Sequence, residues 1–189
     1  MILYCATSNA GKLREFQLAA SESFQIEPLK SVPPCAETGS SFRENALQKA
    51  LYYGAHCGEY LFAEDSGLEV EALNGEPGIC SARFAGLNAS DEENNRQVLA
   101  RLGQSKNRRA RFVCAIALVR GGVWLESFEA SVEGELLFEP CGTAGFGYDP
   151  LFLYPPLGKT FGELTADLKN TVSHRAQALR HLFAFLKSA

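Results

Sequence analysis

The sequence has no Cys-x-x-Cys pair, although it carries six cysteines: Cys5, Cys35, Cys57, Cys80, Cys114 and Cys141. Their scatter, with no histidine at zinc-finger spacing, argues against both a metal knuckle and a disulfide framework, so reduced thiols are expected. Long apolar runs are also missing. The longest, Phe112 to Val119, falls far short of the about 20 residues that a membrane span needs, and no membrane partner is expected. The first ten residues lack a basic segment and turn polar at Thr7, Ser8 and Asn9, so no signal peptide is expected and the expected location is cytoplasmic.

Positive charge is in short supply as well. With 18 basic and 22 acidic residues the net charge is -4, which gives no global field for polymeric nucleic acid. Any anionic partner must be drawn by local groups or a metal. The one basic cluster, Lys106, Arg108, Arg109 and Arg111, is expected to be a solvated connection. No Pro/Gly/Ser-rich linker, low-complexity tract or solenoid repeat divides the chain, so residues 1–189 are expected to form one domain.

What is present is the balance of a globular protein, 46% hydrophobic and 21% charged. Ile2–Ala6 reads as a buried strand, Leu13–Ala20 as a helix and Phe24–Leu29 as a possible second strand. Ser31–Ser40 is expected to be a loop. Ser41–His56 is expected to be a helix, with Phe42, Ala46, Leu47, Ala50 and Tyr53 at helical intervals. Tyr60–Ala63 reads as a strand running into Glu64-Asp65-Ser66-Gly67, and Leu68–Leu73 as a further short strand ending at the Asn74-Gly75 turn. The segment from Gly75 to Gly86 is expected to be an ordered loop. Ser90 with Glu93 three residues on is the capping-box pattern of a helix start. Ala110–Val119 and Val123–Val132 read as strands joined at Gly121-Gly122, a hairpin that makes the sheet mixed. A last helix follows Ser173, apolar at Ala176, Leu179, Leu182, Phe183 and Leu186. The class is α/β.

Five segments have the residue types for anion or nucleotide chemistry, and each also has an ordinary reading. Thr7-Ser8-Asn9-Ala10-Gly11-Lys12 stands between strand and helix, where unpaired backbone N–H groups and the helix dipole favour an anion and Lys12 adds a full charge. It departs from the P-loop pattern at Ala6 and Leu13, and an N-cap with a solvated lysine remains open. Glu64 and Asp65 follow an apolar strand and offer the carboxylate oxygens that magnesium prefers; an acidic turn bent at Gly67 is the alternative. Glu44, three residues after Ser41, is either a capping residue or a third carboxylate. Phe146, Gly147, Tyr148 and Asp149 combine aromatic faces for stacking with glycines that admit backbone donors, or form a turn with two core aromatics. His174 and Arg175 place cations in the first turn of the last helix, with Lys169 a few residues earlier; the dipole disfavours cations there, so either a ligand sits there or the side chains are exposed without a partner.

Together, "TSNAGK", "FRENALQKA", "EDSGLEVEALNGEPGICSARFAG", "GFGYDPLF" and "SHRAQAL", in that order over nearly the whole chain, resemble the inosine triphosphate pyrophosphatase family, which hydrolyses non-standard purine nucleoside triphosphates. The resemblance implies a mixed, elongated β-sheet flanked by helices, two lobes around a central nucleotide-binding cleft, a Mg2+ cofactor and a homodimer. It implies that Thr7, Ser8, Asn9, Ala10, Gly11 and Lys12 hold the triphosphate, and that Glu44 and Asp65 serve the metal with Asp65 as general base. Ser66 would contact substrate, and Phe146, Gly147, Tyr148, Asp149, Lys169, His174 and Arg175 would hold and read the base. Many members have two aspartates before Ser-Gly. Glu64 stands in the first of those positions here, and the resemblance gives it the place of a further metal carboxylate. A silent nucleotide-binding protein and a phosphatase acting on the terminal phosphate remain alternatives.

Overall fold

The computed structural model describes residues 1–20, 22–30 and 33–188. Seven strands form one mixed sheet: β1 (Ile2–Cys5), β2 (Gln25–Pro28), β3 (Tyr60–Val70), β4 (Arg109–Arg120), β5 (Val123–Leu136), β6 (Phe152–Tyr154) and β7 (Lys159–Thr160), in the order β2-β1-β3-β4-β5-β6-β7. β1 runs parallel to β2 and β3, whereas β6 is antiparallel to β5 and β7. The helices are α1 (Ala10–Ala19), α2 (Phe42–Gly54), α3 (Asp91–Leu102), α4 (Ala166–Val172) and α5 (His174–Ser188). No helix among the described residues is long and apolar enough to cross a membrane. The chain divides into two compact units: Met1–Asp65, Cys114–Ala130 and Ser173–Ala189 in the first, Ser66–Val113 and Ser131–Val172 in the second.

In the first unit the core follows the period-2 alternation of strands. Leu3 and Cys5 of β1, Phe62 of β3 and Cys114, Ile116 and Leu118 of β4 are buried together with Phe16 of α1 and Ala178, Leu179, Leu182 and Phe183 of α5. Phe16 meets Phe62 edge-to-face at 5.2 Å, and Phe24 stacks on Phe183 at 4.4 Å. Each such buried ring contributes about 1.5–3 kcal/mol. Gly54 of α2 lies so close to β4 that a Cβ there would stand 2.6 Å from Val119 Cγ2, on the face opposite Leu118. α1 with α5 and α2 therefore cover opposite faces of the strands.

The second unit has its own core, in which Phe112 of β4 and Phe152 of β6 (4.5 Å between centroids) pack with Phe161 (5.0 Å from Phe152). Val98 and Leu102 of α3 complete it. The capping box at Ser90 is present in full: Ser90 Oγ accepts the Glu93 N–H, and Glu93 accepts the Ser90 N–H.

Several expectations need correction. α1 starts three residues earlier than Leu13, because Asn9 is its N-cap and accepts the Lys12 N–H at 3.0 Å. Glu64 to Gly67 is not a turn: β3 runs unbroken from Tyr60 to Val70, and residues 71–73 form a 3-10 turn instead of a strand end. Gly67 is required by a close approach, since a Cβ there would lie 2.3 Å from Ser81 Oγ and 2.6 Å from the Gly78 carbonyl. Residues 78–83 coil into a 3-10 helix. The basic cluster is not simply solvated. Arg108 is buried, donates to the Leu136 and Leu137 carbonyls at 2.6 and 2.7 Å, and lies 4.0 Å from the Phe138 ring centroid. The first two residues of the expected Ser31–Ser40 loop lie outside the described residues.

Gly67→Ala is expected to destabilise the protein by about 1–3 kcal/mol through overpacking. The hydroxyl that must give way, Ser81 Oγ, accepts the Leu68 N–H at 2.9 Å and donates to the Gly78 carbonyl at 2.6 Å. Urea unfolding at neutral pH measures this; an unchanged midpoint would show that the loop yields freely.

Candidate active site

The pleat of β3 sorts its two acids. Glu64, two residues from Phe62, shares the face covered by α1 and α5, and Asp65 points to the face covered by α2. Glu64 Oε1 accordingly meets Lys12 Nζ of α1 at 2.7 Å. Asp65 Oδ2 accepts from Asn45 Nδ2 of α2 at 3.0 Å, and Lys49 Nζ, one helical turn on, lies 3.4 Å from Asp65 Oδ1. Lys49 also donates to Glu37 Oε1 at 2.7 Å.

These surroundings drive the two carboxyls apart. Burial pushes Glu64 up, but Lys12, Arg175 and Lys49 outweigh it and hold the group at about 2, well below an ordinary glutamate. Burial dominates at Asp65; with the repulsion of Glu64 it outweighs Lys49 and Asn45, so Asp65 titrates above the usual aspartate value. Burial alone would lower the Lys49 ammonium, yet Glu64, Asp65 and Glu37 raise it above its ordinary value. One acid is thus a permanent anion, and its neighbour is a carboxyl whose proton is held more tightly. Among the described residues, Glu64 Oε2 is the one buried carboxylate oxygen without a hydrogen-bond partner.

Thr7, Ser8 and Asn9 follow the carboxyl end of β1, the position where α/β sheets present ligands. Asn9 caps α1, and Thr7 Oγ1 accepts the Asn9 N–H at 3.2 Å, so the segment is a tight turn feeding a helix N-terminus. Ala10 and Gly11 form the first turn of that helix, and Lys12 leaves it to reach Glu64.

His174 and Arg175 are not exposed side chains; both are buried at the start of α5. Arg175 Nη1 donates to Glu15 Oε2 of α1 at 2.8 Å. Burial would lower its pKa, but Glu15 and Glu64 raise it. Those carboxylates offset the dipole penalty of a cation in a first helical turn. Glu44 takes no part in this cluster. Its Oε2 accepts the Ser40 N–H at 2.7 Å and the Ser40 hydroxyl at 2.8 Å, which lowers its pKa through those two hydrogen bonds.

The second unit carries the remaining candidates. Phe146 N–H donates to Asp149 Oδ2 at 2.9 Å, and Tyr148 donates its hydroxyl to the Ser81 carbonyl at 2.8 Å. Gly145 permits this turn: its φ is 75°, and a Cβ would stand 2.0 Å from Asp149 Oδ2. Lys169, on α4, is buried, ion-paired with Asp149, and lies 5.2 Å from the Phe146 ring centroid. Ser66 is a half-buried residue of β3.

The sequence reading missed Glu15, Glu37, Asn45 and Lys49. Asn45 and Lys49 had left a trace, being polar residues spaced i, i+4 among the apolar positions Phe42, Ala46 and Ala50 of one helix face. Glu15 and Glu37 gave none, since their partners are distant in the chain.

The fold and these charges define an α/β protein with a turn at a helix start, buried cations paired with acids, and two adjacent acids of opposed titration. A profile of the Ham1 family matches residues 3–185, and the chain belongs to that family. A dITP/XTP pyrophosphatase from an Exiguobacterium species is 46% identical over 188 residues, covering 97% of this chain and 96% of that protein. A dITP/XTP pyrophosphatase from Staphylococcus aureus is 42% identical over 184 residues, covering 96% and 94%. The structure of a HAM1 protein from Coxiella burnetii superposes with a TM-score of 0.90 at 40% identity, covering both chains fully, and that of the S. aureus Ham1 protein with 0.88 at 40%, covering 100% and 99%. The resemblance carried by the five motifs is borne out at the level of family and fold.

Proposed function

We propose that this protein hydrolyses deaminated purine nucleoside triphosphates such as ITP, dITP and XTP to the nucleoside monophosphate and pyrophosphate, clearing them from the precursors of DNA and RNA. The observation that carries this reading is Asp65: a buried carboxyl with a raised pKa in the middle of β3, positioned by Asn45 and Lys49 of α2, in a chain of the Ham1 family. The dITP/XTP pyrophosphatases at 42–46% identity support the substrate class.

In this reading Thr7 to Lys12 bind the triphosphate through helix-start N–H groups and the Lys12 ammonium. Asp65 takes the proton of the water that attacks the α-phosphorus, and pyrophosphate leaves. Lys49 and Asn45 orient that carboxyl. Phe146 to Asp149 and Lys169 hold the base, with Ser66 a further substrate contact. Selectivity rests on the purine six-position, where a carbonyl accepts from donors such as His174 or Arg175 and the amino group of adenine leaves them unpaired.

Magnesium is the cofactor of this reading. It needs one or two carboxylates beside waters and phosphate oxygens; Asp65 would supply one, and Glu44, bound here to Ser40, would have to turn away from that residue to supply another. Glu64 keeps an uncommitted Oε2, but it lies on the opposite face of β3 from Asp65 with its other oxygen taken by Lys12, so it would not share the ion with Asp65 directly. When bound, the ion would neutralise phosphate charge and acidify the attacking water. A homodimer in the cytoplasm belongs to the same proposal, and sedimentation measures the first of these.

One assay decides the reaction: incubation with ITP, XTP, GTP or ATP and Mg2+, followed by product identification. IMP with pyrophosphate is the expected result. Orthophosphate with a diphosphate would replace this reading by a phosphatase, and silence on every nucleotide by a binding protein. Lys12→Ala is expected to raise KM for ITP by about ten- to a hundredfold, the value of a hydrogen bond to a charged group. An unchanged KM would remove Lys12 from the triphosphate seat.

A further inference from the structure

The first two turns of α3 carry two polar side chains that the chemistry above does not use, and both grip one residue. Asp91 Oδ2 accepts the Gly147 N–H at 2.6 Å, and Asn95 Nδ2 donates to the Gly147 carbonyl at 3.0 Å. Spaced i, i+4, they project from one face of a single helix, so Gly147 is held by both its main-chain groups from one rigid element.

Asn95 is 7% exposed, and its Oδ1 has no hydrogen-bond partner. Turning the amide over would set Oδ1 against the Gly147 carbonyl, acceptor on acceptor, so the bond to Gly147 dictates its orientation. A buried amide left half-satisfied costs stability that an apolar side chain would avoid. Neighbouring Asn94 shows the ordinary arrangement, accepting the Ala85 N–H at 2.9 Å and donating to the Ala82 carbonyl at 3.3 Å. Gly147 itself, with φ 62° and no side chain, offers the helix nothing but its main chain to hold.

We propose that Asp91 and Asn95 are positioning residues for the base-reading segment Phe146–Asp149, fixing Gly147 so that Phe146 and Asp149 are presented to the purine in one geometry. This rests on the reading that the segment holds the base. The two side chains act on nucleotide affinity through Gly147 and leave the triphosphate seat untouched.

Asn95→Leu, which removes the unpaired oxygen along with the bond, and Asp91→Ala are compared with Asp91→Asn, whose remaining amide oxygen still accepts the Gly147 N–H. Steady-state kinetics with ITP, inhibition by inorganic tripolyphosphate, and hydrogen exchange over residues 142–151 of the ligand-free protein are measured. Expected are a KM for ITP about tenfold higher in Asn95→Leu and Asp91→Ala, the equivalent of one lost hydrogen bond, with kcat and tripolyphosphate inhibition within about twofold. Exchange at Gly147 should accelerate in both, and Asp91→Asn should restore KM. Unchanged KM, or tripolyphosphate inhibition weakening in step with KM, overturns the proposal. Failure of the wild-type protein to release IMP from ITP would instead sink the functional reading, and unchanged exchange at Gly147 would sink the grip whatever the reaction.

Discussion

Asp65→Asn is expected to lower kcat for ITP by about a hundred- to ten-thousandfold, the range supplied by a positioned general base, while the Kd for ITP by calorimetry stays near that of the wild type. An asparagine keeps the shape and can still accept from Asn45 Nδ2, as Asp65 does at 3.0 Å, so orientation survives while proton acceptance is lost. Loss of turnover will not be unfolding. The folded pKa of Asp65 lies above its unfolded value of about 3.8, so its contribution to stability is full only in acid and is lost as pH rises through the folded value. At neutral pH the ionised carboxylate contributes nothing by this route, and Lys49 keeps Glu37 as a partner. The same shift is expected in the metal-free protein, where NMR titration of the Asp65 carboxyl should run above that of an ordinary aspartate. Near-wild-type turnover in Asp65→Asn would remove this residue as the base.

Glu64→Gln should have the largest effect on stability. The folded group titrates at about 2 against an ordinary 4.5, which corresponds to about 3 kcal/mol in favour of the ionised form. The neutral amide leaves Lys12, Lys49 and Arg175 around a site that no longer carries the charge they share. At pH 7 the variant is expected to melt roughly 6–12 °C below the wild type, given the size of the chain. Because the folded value lies below the unfolded one, the wild-type advantage is complete above about pH 4.5 and is lost as pH falls through about 2. Chemical denaturation from pH 7 down to pH 3 should show the two proteins converging. A difference that stays constant with pH would mean that packing of the side chain, and not its charge, accounts for the loss.

These two predictions separate roles that the motif presents as one acidic pair. Adjacent residues on a strand face opposite sides, so Glu64 is committed to the α1 and α5 cations, and Asp65 to the polar end of α2. A turn at this point, as expected from Gly67, would have left both acids free to converge. The glycine serves contact with Ser81 and not chain reversal.

Where the determinants are local, the sequence alone sufficed. The α3 capping box is written within four residues, the hairpin in Gly121-Gly122, the apolar face of α5 in its helical period, and five ordered motifs carried the family. The short elements escaped because three residues in β6, two in β7 and seven in α4 are too few for a period to show. Which cation meets which acid was decided only by tertiary structure. Lys12 reaches Glu64, Lys49 reaches Asp65, and Glu15 neutralises Arg175 from 160 residues away. Pairing energies depend on distance and burial, and both arise only when the strands and helices have packed.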